Sequence, residues 1–118
     1  MIFFISIQVK NQKYYVYVVD LDKSILKEKK KFKDENPQYI PGKPCVYVGQ
    51  TSHSPRERFE SHKRGYKAGR GFVRDYGRYL KRKRIPDQNP HPTRASALRR
   101  EKKLADILKK RGWAVWWN

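Results

Sequence analysis

The chain has 118 residues, enough for one domain built round a single modest core. Its 29 Lys and Arg against 11 Asp and Glu give a formal net charge of +18. Such a surplus repels itself in a compact fold and is best tolerated beside a polyanion, with nucleic acid ahead of an anionic membrane surface. Hydrophobic residues at 37% place the chain outside the disordered class, and the single Cys45 excludes a disulfide framework and a cysteine-based zinc finger.

The first apolar run, "IFFISIQV" (2–9), is short, has no basic flank and no small-residue cleavage site, so it reads as a strand rather than a signal. A cytoplasmic protein with no targeting segment and no membrane association is the expectation. "YYVYVVDL" (14–21) follows across the polar "KNQK", which predicts a hairpin. This second run is apolar at successive positions and should lie inside a sheet covered on both faces. Residues 24–44 carry a lysine cluster and then three prolines, and read as a short helix or partly ordered excursion with an irregular exit. "CVYVG" (45–49) is the next strand, with Cys45 as a buried thiol and Gly49 as its end.

"SPRE" (54–57) has the form of a capping box with proline at the first helical position, predicting a helix to about Lys63 that stops at Gly65. "RGFVRDYGRYLKRKR" (70–84) spaces Phe72, Val73, Tyr76, Tyr79 and Leu80 as a second basic helix would. Prolines mark 85–93 as a loop, and 94–112 is a long helix closed by Gly112. "WAVWW" (113–117) is too short for a bilayer and suits a last strand. The architecture expected is α+β: a small, largely antiparallel sheet of three to four strands flanked by helices, in one domain over 1–118.

Glu101 carries the most information. It falls within the stripe Ala97, Leu98, Leu104, Ala105 and Leu108, where an unpaired charge costs several kcal/mol. A buried arginine, a metal ion or protonation must compensate it. Arg58 and His62 stand one helical turn apart on the helix after Gly49 and share a face. Tyr17 and Tyr47 sit within the inner strands, where a tyrosine is usually core with its hydroxyl tied to a backbone carbonyl.

Together these residues resemble the GIY-YIG nuclease family. "YVY" (15–17) stands for the first triplet, with Tyr17 on its tyrosine, and "YVG" (47–49) for the second, with Tyr47 and Gly49. Arg58 and His62 match the arginine–histidine helix, Glu101 the glutamate of the later helix, and Asn118 a late asparagine of some members. The first triplet lacks the family's glycine and isoleucine. The two tyrosines also lie further apart than in compact members, so residues 22–42 read as an insertion.

The resemblance implies metal-dependent endonuclease cleavage of DNA, with catalytic Tyr17, Tyr47, Arg58, His62 and Glu101. Glu101 would hold one Mg²⁺ or Mn²⁺ per site, and Arg58 would grip the scissile phosphate. The base is Tyr17, Tyr47 or His62, with nearby cations lowering the phenol pKa. Lys63, Arg64, Lys67, Arg70, Arg74 and Arg78, with Lys81 to Arg84 beyond them, would track the phosphate backbone. One such site cuts one strand, so a double-strand break calls for a homodimer, a recruiting protein or two events. The rivals are a basic nucleic-acid-binding module without catalysis and a partner-binding protein that captures an acidic protein.

Overall fold

Alternation along two β-rich runs sets the centre of the molecule. β1 (Tyr15–Leu21) and β2 (Cys45–Thr51) pair antiparallel, Tyr17 opposite Gly49 and Val19 opposite Tyr47. The computed structural model describes residues 13–66, 69–84 and 89–117. The strand expected at 2–9, Lys67 and Asn118 lie outside them. β3 (Gly77–Leu80) joins the far edge of β1 antiparallel, and β4 (Ala114–Trp117) joins β2 in parallel, giving the order β3-β1-β2-β4. The sheet is therefore mixed but mostly antiparallel, and the fold is α+β as expected.

Both inner strands are buried on both faces, as their successive apolar residues require. Val16, Val18, Val46 and Val48 pack on Ala97, Leu104, Ala105 and Leu108 of the long helix α5 (Arg94–Lys110). The opposite face carries Tyr17, Val19, Leu21, Cys45 and Tyr47. It is covered by Ile25 of α1 (Ile25–Glu28), Phe32 of α2 (Lys30–Asp34), and Phe72 and Val73 of α4 (Phe72–Tyr76). Residues 22–42 are thus anchored by Ile25 and Phe32, both fully buried.

Three sequence expectations need correction. β2 does not stop at Gly49 but continues to Thr51. Residues 70–84 are not one helix: a 3₁₀ turn at Gly69–Gly71 and the five-residue α4 lead into β3, and a second 3₁₀ turn spans Arg82–Arg84. Gly77 makes the change of direction, since a Cβ there would lie 2.5 Å from the Val73 carbonyl oxygen, and the β1 edge supplies the hydrogen-bond partners. Leu98 is not part of the buried stripe but 38% exposed. Nearer its start, the β1 edge is completed by a side chain. Asn89 accepts from the Val16 N–H at 3.0 Å and donates to the Val16 carbonyl at 2.8 Å. Among the described residues, no helix is long and apolar enough to cross a membrane.

Candidate active site

The segment after β2 is fixed by local chemistry. Ser54 accepts from the Glu57 N–H while the Glu57 carboxylate accepts from the Ser54 N–H, and Pro55 opens α3 (Pro55–Lys63). The helix so started carries Arg58 half-buried and His62 fully buried. Tyr17 from β1 and Tyr47 from β2 approach the same point. A Cβ on Gly49 would lie 2.7 Å from the Tyr47 ring and 2.8 Å from the Tyr17 hydroxyl oxygen, so glycine leaves the space both phenols occupy. Gly69, at φ +64°, does the same on another side of Tyr47, where a Cβ would lie 2.3 Å from the ring.

The three rings form a cluster. Tyr17 and Tyr47 centroids are 6.0 Å apart, Tyr47 and His62 5.7 Å, and the Tyr17 hydroxyl is 3.0 Å from His62 Nε2. A cavity of about 310 Å³ opens at this end of the strands, lined by Tyr17, Tyr47, Arg58 and Glu101 together with Gln50 and Thr51. Glu101, 1% exposed, reaches it from the middle of α5. The five residues singled out in the sequence therefore come together, four on the cavity wall and His62 directly behind Tyr17.

The electrostatics differ from expectation in one respect. Burial raises the Tyr17 phenol well above its ordinary value, Tyr47 adds to this, and the lowering by Arg58 is outweighed. Tyr47 is also raised, first by burial and then by the Glu101 carboxylate. Both phenols are therefore protonated near neutrality, not depressed by neighbouring cations. Burial pushes His62 down to about 4, against a smaller upward pull from the Tyr66 backbone, and Arg58 lowers it further. A neutral imidazole can accept the Tyr17 proton in a hydrogen bond.

Sequence reasoning missed Gln50, Thr51, Tyr66 and Arg94, all on the cavity wall. The Gln50 Oε1 atom is buried and accepts no hydrogen bond from the described residues. Tyr66 follows the helix end and has no periodic signal. Arg94 lies on the α5 face that carries Glu101 two turns later, a relation readable only once Glu101 is placed. Among the described residues no group of three or more His, Cys, Asp or Glu side chains is placed to hold a metal ion. Glu101 and Gln50 line the same cavity, and a hard cation that keeps most of its waters needs few protein oxygens.

Several expected phosphate contacts are already engaged. The Lys63 ammonium donates to the carbonyls of Arg74 and Gly77 at 3.2 and 3.0 Å, ending α4. Arg74 is forked onto Asp75, and Arg78 lies 3.7 Å from the buried Asp20. Arg64 and Arg70 are exposed. No protein-family model, curated protein or solved structure matches this chain.

Proposed function

We propose that this chain is a GIY-YIG-type endonuclease, acting in the cytoplasm, that hydrolyses phosphodiester bonds in DNA with one Mg²⁺ or Mn²⁺ per site. The observation that supports this most is the convergence of Tyr17, Tyr47, Arg58 and Glu101, from four separate elements, on one cavity. A structural ion pair would need only two of them. Glu101 would hold the ion, and Gln50 lines the same cavity. When bound, the ion supplies Lewis-acid neutralisation of charge growing on the phosphoryl oxygens.

The remaining work falls to the chain's own groups. Arg58 binds the phosphate through paired N–H donors and stabilises its extra transition-state charge. Tyr17, fixed by His62, orients the attacking water. As the water oxygen bonds to phosphorus, its proton passes to the Tyr17 hydroxyl oxygen and the Tyr17 proton to His62 Nε2. The negative substrate raises the proton affinity of His62 when it is needed. Solvent protonates the leaving alkoxide. Tyr47, a neutral phenol hydrogen-bonded to Tyr17, would help to hold that hydroxyl in place.

The test is incubation of the protein with supercoiled plasmid, branched DNA and single-stranded DNA, with Mg²⁺, with Mn²⁺ and with chelator. Ion-dependent cleavage that chelator abolishes is expected. Binding of all three substrates without cleavage under either ion overturns the reading in favour of a non-catalytic nucleic-acid-binding module.

A further inference from the structure

The end of α3 turns back on itself. The Tyr66 N–H donates to the Ser61 carbonyl at 3.1 Å and the Gly65 N–H to the His62 carbonyl at 3.0 Å, the paired bonds of a Schellman motif. Gly65 sits at φ +125°, a conformation that costs residues with a Cβ, so the reversal is a property of this glycine. It delivers Tyr66 above the helix it has just left. The ring is 45% exposed, so filling the core does not explain it. It packs on the side chains of α3 instead: the Arg58 guanidinium lies 4.5 Å from its centroid and the His62 ring 5.2 Å.

A second hold on Arg58 comes from the last residue of β2. Thr51, 2% exposed, accepts from Arg58 Nε at 3.2 Å through an oxygen that also accepts from the His53 N–H at 3.0 Å. The Thr51 hydroxyl thus takes up the one guanidinium N–H nearest the stem, and the Tyr66 ring fixes the plane. Among the described residues neither Nη group has a hydrogen-bond partner, which leaves both for an oxyanion. Thr51, Arg58 and Tyr66 all line the cavity that holds Glu101.

We infer that Thr51 and Tyr66 are positioning residues that clamp the Arg58 guanidinium at two points so that its paired terminal N–H groups meet a substrate phosphate. This assignment of purpose rests on the hydrolase reading, but the clamp does not. Fixing the plane before substrate arrives removes rotamer freedom that would otherwise be lost on binding. The effect should therefore fall mainly on turnover rather than on substrate affinity.

The experiment compares Thr51→Val with Thr51→Ser, and Tyr66→Leu with Tyr66→Phe, by two readouts. The first is solvent exchange of the Arg58 Nε–H in the free protein, followed by nitrogen-15 NMR, which needs no activity. The second is cleavage of a DNA oligonucleotide with Mg²⁺. Thr51→Val is expected to speed exchange and lower kcat about tenfold, with Thr51→Ser close to wild type in both. Tyr66→Leu should lower kcat by about fivefold or more, and Tyr66→Phe, which keeps the ring face, should not. Fast Nε–H exchange in the wild type, or Val and Leu variants unchanged in both readouts, overturns the clamp. A protected Nε–H in a protein that cuts no DNA retains the clamp and overturns the hydrolase reading instead.

Discussion

His62 shows how one side chain can link stability to chemistry. Its imidazole is fully buried against the rings of Tyr17, Tyr47 and Tyr66 and near the Arg58 charge, so the charged form is disfavoured and the pKa falls from 6.5 to about 4. Between these values the unfolded chain binds a proton that the folded chain does not, so stability rises with pH across that window and falls as pH is lowered through it. The full difference is about 3 kcal/mol by the usual conversion. Urea unfolding midpoints measured from pH 7 to pH 4 should fall for the wild type more steeply than for His62→Gln. Equal slopes would mean that the imidazole is not held neutral.

Elements explain what could be read from the sequence and what could not. The passage from β2 into α3 was legible because its signals are local: Ser54, Pro55 and Glu57 satisfy the helix start within four residues, and Gly65 marks its end. Tyr17, Tyr47, Arg58, His62 and Glu101 were legible because each carries a motif position or breaks an apolar pattern. Residues 70–84 were misread because Phe72, Val73, Tyr76, Tyr79 and Leu80 satisfy helical spacing. β1 instead takes the second half as an edge partner, a long-range demand that no local pattern records. Thr51 and Tyr66 were missed for a related reason, since each reaches the cavity through a strand end or a chain reversal. In the sequence Gly49 looks like a strand terminator, yet it lies within β2 as the space for two rings. Gly49→Ala should lower stability by about 1–3 kcal/mol through overpacking. It should also displace Tyr17 from His62, which loss of the close ring contacts in NMR would register. A fully stable Ala variant with those contacts intact would refute the role given to this glycine.

At the scale of the whole molecule, a net charge of +18 surrounds a cavity in which Glu101 is the one carboxylate among the described lining residues. On the proposed reading the surface would supply attraction without sequence reading and the cavity the chemistry, so affinity and cleavage should separate cleanly. Binding of duplex DNA should weaken about a thousandfold between 50 and 200 mM salt if about six phosphates are neutralised. A flat salt dependence in a filter or anisotropy assay would show that the charge serves another partner. The catalytic claim turns on Glu101, buried in the middle of an apolar helix face and on the cavity wall. The most direct measurement is the Mg²⁺-dependent nicking rate of supercoiled plasmid for wild type and for Glu101→Gln, which keeps the shape and removes the charge. A fall of about a thousandfold or more, in a variant that still binds DNA with wild-type affinity, is the predicted result. Equal nicking by the two proteins would contradict the account.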